Sequence, residues 1–214
     1  MFRHEGQVEF PEYTGVNVNM MPIIMGDDGS VPNNLKQYLP MIHRCNFRSG
    51  TTVYLSVSES FVRQGETQRR PGIHTDGTAT LGWGGGGWGG GYRPPPPPKK
   101  DEEKPSPPVS VPTKGIYLAS TDGRCRIWDC VTLDVDNLGA AAEPDALSLE
   151  AEPGAMYWIT DRTPHESLPA LQDGHRQWFR LVADEIGAWY SRHSTPNPFG
   201  IAPNAPIIHE NKFG

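Results

Sequence analysis

Residues 51–58, Thr51-Thr52-Val53-Tyr54-Leu55-Ser56-Val57-Ser58, decide the architecture of this chain. Val53, Leu55 and Val57 alternate with Thr52, Tyr54 and Ser56. That period of two belongs to a strand with one buried face. The same grammar continues downstream. Residues 115–120 and 124–132 flank Thr121-Asp122-Gly123, which reads as the turn of a hairpin. Residues 146–151 carry Leu147 and Leu149 on one face. Pro153-Gly154 is a turn, residues 155–160 are apolar and aromatic, and residues 176–183 close the set. Upstream, Leu35, Leu39 and Ile42 fall on one helical face, with Asn33 or Ser30 as the expected N-cap and Pro40 interrupting the run. Many short strands with Gly/Pro turns and little helix predict a mainly β protein, an antiparallel sandwich or jelly roll. No internal repeat of fixed period is present.

The chain has 214 residues, enough for one domain with a real core. Its formal charge is −6, and no Lys/Arg run exceeds two residues, which disfavours binding to nucleic acid. The three cysteines, Cys45, Cys125 and Cys130, lack the spacing of a zinc site and are expected as reduced, buried thiols. The start, Met1-Phe2-Arg3-His4-Glu5-Gly6, has no apolar region of a secretory signal, and no apolar run approaches a membrane span. A soluble, cytoplasmic protein is the expectation.

Residues 82–113 break the pattern. Gly-Trp-Gly-Gly-Gly-Gly-Trp-Gly-Gly-Gly-Tyr leads into Pro94, Pro95, Pro96, Pro97 and Pro98, followed by a charged run and further prolines. The glycines predict flexibility and the prolines an extended polyproline II run, so this is a surface insertion within one domain over residues 1–214. Trp83, Trp88 and Tyr92 are read as the contact surface of a lid, against a plain tether as the alternative. The five prolines are read as a ligand for an SH3, WW or profilin-like partner. Residues 191–214 predict an irregular tail.

The chemistry concentrates elsewhere. In Pro71-Gly72-Ile73-His74-Thr75-Asp76-Gly77, His74 and Asp76 stand two apart, so on an extended chain both point to one face and reach one ion. A third ligand from a distant strand completes a 2-His-1-carboxylate set that leaves positions open and suits Fe(II). His165 supplies it, at the end of an apolar strand and 91 residues beyond His74. In His175-Arg176-Gln177-Trp178-Phe179-Arg180-Leu181-Val182, Arg176 and Arg180 share a face with Trp178, while Gln177, Phe179 and Leu181 take the other. A buried guanidinium requires an anion and grips a carboxylate through two hydrogen bonds.

In order and spacing, His74-Thr75-Asp76, then His165, then Arg176 eleven residues on, the chain resembles the 2-oxoglutarate/Fe(II) dioxygenase superfamily over roughly residues 50–183. The resemblance implies a double-stranded β-helix core with a few flanking helices. It implies Fe(II) held by His74, Asp76 and His165, and 2-oxoglutarate held through its distal carboxylate by Arg176. Arg180 lies near the same site, and a shift of register exchanges the two arginines' roles. Tyr54 and Ser56 are the positional candidates for a hydroxyl beside the arginine. The implied activity is hydroxylation of a C–H bond in a prolyl, peptide or small-molecule substrate, with release of succinate and CO2. The competing readings are a cupin-like metal-binding protein without 2-oxoglutarate and an interaction scaffold presenting the prolines.

Overall fold

The computed structural model describes residues 2–78, 82–83, 115–131, 147–183 and 186–210, with the backbone alone at 77, 78, 82 and 83. Its strands are β1 (Phe2–Gln7), β2 (Asn17–Ile24), β3 (Thr52–Val62), β4 (Gly77–Thr78), β5 (Gly82–Trp83), β6 (Gly115–Ser120), β7 (Cys125–Trp128), β8 (Ser148–Glu150), β9 (Ala155–Thr160), β10 (His165–Ser167), β11 (Gly174–Val182), β12 (Trp189–Tyr190) and β13 (Ile207–Ile208). The protein is mainly β. One antiparallel sheet runs β1-β9-β6-β11-β3-β2, and a smaller one runs β10-β7-β8.

Strand β3 is longer than its sequence pattern and is buried on both faces. Val53, Leu55 and Val57 pack with Phe179, Leu181, Leu35, Tyr38 and Met41. Tyr54, on the opposite face, packs with Leu118, Ile127, Tyr157 and Val182. The expectation of one buried face is therefore corrected: Tyr54 is 0% and Ser56 1% exposed. A helical layer covers one side of the large sheet, and Ile127 of the small sheet reaches the other, so an alternation of apolar and hydroxyl side chains here separates two interiors.

The helical layer also departs from the simple reading. A 3-10 segment, Asn33–Tyr38, precedes α1 (Leu39–Arg44). Pro40 falls in the first turn of α1, where its missing N–H is not needed. Neither Ser30 nor Asn33 caps that helix; Asp27 caps the short turn before it, accepting from Gly29 N at 2.9 Å.

The expected hairpin of β6 and β7 does not form. β6 pairs with β11 and β9, whereas β7 pairs with β10 and β8. The turn instead carries the chain from the large sheet to the small one, with Gly123 and Arg124 both at positive φ (68° and 48°). The cause is burial: residues 116–120 of β6 are all buried, so β6 takes a central place between two partners. Leu147 precedes β8 and is exposed (80%), contrary to its expected place on a core face. Cys45 is buried, and Cys125 and Cys130 are half-buried. The tail is irregular but anchored: β13 pairs in parallel with β12, and Asn197 Nδ2 donates to Pro22 O and Ser30 O, both at 2.8 Å. Among the described residues no helix is long and apolar enough to cross a membrane.

Candidate metal centre

The site begins with two backbone bonds. His74 N donates to His165 O at 3.0 Å, and His165 N donates to His74 O at 2.9 Å. This antiparallel bridge sets the two residues opposite each other at the edge of the small sheet. Their side chains emerge on the same side, with ring centroids 4.5 Å apart. Two residues further along the extended chain, Asp76 returns to the same face. One ligand atom from each of His74, Asp76 and His165 lies within 4.8 Å of the others, and each residue is 8% exposed.

The donor chemistry fits a divalent cation. His74 Nδ1 donates to Gly72 O at 2.8 Å, and His165 Nδ1 donates to Thr163 O at 2.9 Å. Each bond places the ring proton on Nδ1 and leaves the Nε2 lone pair for a metal. Burial, with His165 alongside, holds the His74 imidazole neutral, its pKa pulled down to about 3. Two imidazoles and one carboxylate are the donor set of a facial triad.

The large sheet supplies the cations. Arg176, Trp178 and Arg180 share one face of β11, as expected, while Phe179 and Leu181 enter the core opposite. Arg180 Nη1 donates to Asp76 Oδ2 at 2.9 Å, orienting the carboxylate. Its Nη2 meets Met20 Sδ at 3.4 Å. Met20 sits at positive φ (49°) where the register of β2 shifts against β3. Ser56 Oγ accepts from Met20 N, and Trp189 Nε1 donates to Met20 O. This bulge re-aims one side chain into the site.

Arg176 is placed differently. It is 5% exposed and stands opposite Ser60 of β3. Its Nε lies 2.6 Å from Asp122 Oδ1, on the turn after β6, and its Nη2 donates to Ser120 Oγ at 3.5 Å. The Asp122 contact is short but off-axis, and neither Nε nor Nη1 completes a hydrogen bond. A buried donor left unmade costs about 1–3 kcal/mol, so this guanidinium is suited to a further oxyanion.

A third arginine joins from the segment before His74. The Arg69 guanidinium carbon sits 4.2 Å from the Trp178 ring centroid, and that of Arg180 sits 5.3 Å from the same ring. Burial first, and the neighbouring Arg180 charge second, pull the Arg69 pKa down to about 10, with Asp76 offsetting in part.

Among the residues singled out from sequence, His74, Asp76, His165 and Arg180 come together, and Arg176 lines the same face of β11. Tyr54 is a correction: it stands opposite Val182, six residues along β11 from Arg176, and its hydroxyl accepts from Asn204 N at 2.9 Å. Six residues of strand span roughly 20 Å, so Tyr54 is not the hydroxyl beside Arg176; Ser120 is. Ser56 stands opposite Arg180. The Trp83 backbone pairs with Gly77. Trp88, Tyr92 and the prolines at 94–98 lie outside the described residues. Sequence reading missed Asp122, Ser120, Met20 and any role for Arg69. Asp122 and Arg69 were visible only as a turn residue and as a flank of the metal segment. No protein-family model matches this chain, no curated protein matches it, and no solved structure matches it.

Proposed function

We propose that this protein is an Fe(II)- and 2-oxoglutarate-dependent oxygenase that hydroxylates a C–H bond of a small-molecule or peptide substrate. The observation that carries the reading is the His74/Asp76/His165 cluster, with both imidazoles fixed by backbone carbonyls in the tautomer a metal requires. The topology supports it. From β3 onward the chain alternates between sheets: β3 large, the His74 bridge small, β6 large, β7 and β8 small, β9 large, β10 small, β11 large. That eight-strand winding is what a double-stranded β-helix requires, and we read the fold as one.

In this reading His74, Asp76 and His165 hold the iron. Bound iron supplies the oxygen-activating redox chemistry, for which 2-oxoglutarate is the two-electron reductant, leaving as succinate and CO2. The chain's own residues bind and orient. Arg180 already touches a metal ligand, which is too close to meet the far end of a five-carbon diacid chelating the same ion. Arg176 lies four residues back along β11, roughly 13 Å at Cα, and its unmade donors face a carboxylate's needs. Arg176 is thus the partner of the distal carboxylate. Ser120 Oγ assists, and Asp122 yields its place.

The second reading, a metal protein without co-substrate, draws on one observation: Arg176 already has an anion beside it in Asp122. One experiment separates the two. Anaerobic Fe(II) protein is titrated with 2-oxoglutarate, followed by the visible charge-transfer band, and succinate is then measured in air. The oxygenase reading expects the band, and succinate that Asp76→Ala abolishes. Arg176→Ala should weaken 2-oxoglutarate binding about tenfold to a hundredfold, the worth of one or two charge-assisted bonds, while metal affinity stays unchanged. Metal binding with no response to 2-oxoglutarate selects the second reading.

A further inference from the structure

The cations around the metal cluster are unequally matched. Arg180 has Asp76 at 2.9 Å, Arg176 has Asp122 at 2.6 Å, and Arg126 has Glu166 at 3.2 Å. Arg69 has neither a carboxylate within ion-pair distance nor a hydrogen bond among the described residues. What holds it is the indole of Trp178. Stacking uses the flat face of a guanidinium and leaves its N–H edge directed outward. Both Arg69 and Trp178 are half-buried, so that edge is reachable. The Arg180 guanidinium on the same ring raises the local positive field.

Metal binding sharpens the imbalance. A carboxylate that ligates a divalent ion is committed to that ion, so Asp76 then offsets less of the charge on Arg180 and Arg69. In a low-dielectric site, Arg69 beside Arg180 over one indole favours a further anion, and among the described residues no carboxylate stands within ion-pair distance of Arg69. The proposed co-substrate does not provide it: one carboxylate chelates the metal and the other meets Arg176. The molecule being oxidised is a natural source of that further anion.

We infer that Arg69, stacked on Trp178 beside Arg180, is a substrate-binding residue that receives an oxyanion, so the substrate of this centre is a small organic anion bearing a carboxylate or phosphate group. This rests on the oxygenase reading and narrows it. Neutral prolyl peptides, otherwise compatible with the fold, are disfavoured as the substrate class. Arg69 precedes His74 by five residues, while Trp178 belongs to the large sheet. The oxyanion therefore binds where the metal-bearing segment meets that sheet and holds the rest of the substrate next to the ion.

The test uses sulfate as the oxyanion probe. The full chain, anaerobic, saturated with Mn(II) and 2-oxoglutarate, is titrated with sodium sulfate and followed by tryptophan fluorescence. Sodium chloride at matched ionic strength is the control. The expected result is saturable sulfate binding that weakens at least tenfold in Arg69→Gln and is partly retained in Arg69→Lys. Mn(II) and 2-oxoglutarate affinities should be equal in all three proteins. No saturable sulfate binding in the wild type, or equal binding in Arg69→Gln, overturns the inference and leaves the oxygenase reading standing. Loss of metal-dependent 2-oxoglutarate binding in the wild type overturns both. Without sulfate, thermal unfolding should show Arg69→Gln as stable as the wild type, which separates a lost anion site from a lost fold.

Discussion

Glu59 is the residue that ties the chain's beginning to its central strand. It is 2% exposed and lies on the helix-facing side of β3. One carboxylate oxygen accepts from Thr14 N and Gly15 N, both at 2.6 Å, and from Val16 N at 3.1 Å. The other accepts from Tyr38 Oη at 2.6 Å and Gln177 Nε2 at 3.3 Å. Burial alone would raise the carboxyl's pKa. The bonds from Tyr38, Thr14, Gln177 and Val16 outweigh it and leave the pKa below the ordinary 4.5. A carboxyl whose folded pKa is depressed contributes stability that is present above its unfolded pKa and is lost as pH falls through the folded value. Glu59→Gln removes the charge and half the accepting capacity. It should cost about 2–4 kcal/mol at pH 7. That gap should narrow as the pH is lowered from 5 toward 3. Urea unfolding of both proteins across that range checks it, and a gap independent of pH contradicts the account.

Among the elements, the turn after β6 carries the greatest consequence, because it sends β7 to the other sheet and sets Asp122 beside Arg176. Gly123 makes it feasible: at φ 68° a Cβ would stand 2.1 Å from Ala151 O. Gly123→Ala should therefore destabilise by about 2–4 kcal/mol, since backbone must shift. The comparison is Gly65→Ala, also at positive φ (82°) but with nothing within 4 Å of the added methyl; it should cost about 1 kcal/mol. Equal losses in chemical denaturation would remove the steric argument. This turn also marks how far sequence reading reaches. Thr121-Asp122-Gly123 announces a reversal, because glycine and Asx chemistry are local. Which sheet receives the next strand depends on β6 needing partners on both edges, and that need is set by burial far along the chain. His74 and Asp76 were legible for the same local reason: a period of two places both on one face. Arg69 was not, because its meaning comes from the ring of Trp178 in another sheet. Tyr54 was misplaced because alternation gives the face of a strand but not the position along its partner.

At the scale of the molecule, an acidic chain of net charge −6 concentrates arginines where its two sheets meet. Arg69 leads into the His74 strand, while Arg176 and Arg180 lie on β11 of the large sheet. The three candidate metal ligands, His74, Asp76 and His165, lie on the small sheet and its edge, and Arg180 joins that group to the large sheet through Asp76. A cation bound there links segments 91 residues apart in sequence and, through that ion pair, both sheets. Anything that binds the folded chain alone adds stability by mass action, about 2.7 kcal/mol at a hundredfold excess over the dissociation constant. For a chain of this size each kcal/mol moves the midpoint by about 2–4 °C, so saturating Mn(II) should raise the Tm by roughly 5–10 °C over the protein in chelator. Because burial pulls the His74 pKa down to about 3, no proton has to leave that ring for a metal to bind at pH 7 or pH 8. Asp76→Ala should show little or no shift at either pH. A wild-type Tm that ignores Mn(II), Fe(II) and Zn(II) alike in scanning calorimetry would mean that the three side chains meet for structural reasons alone.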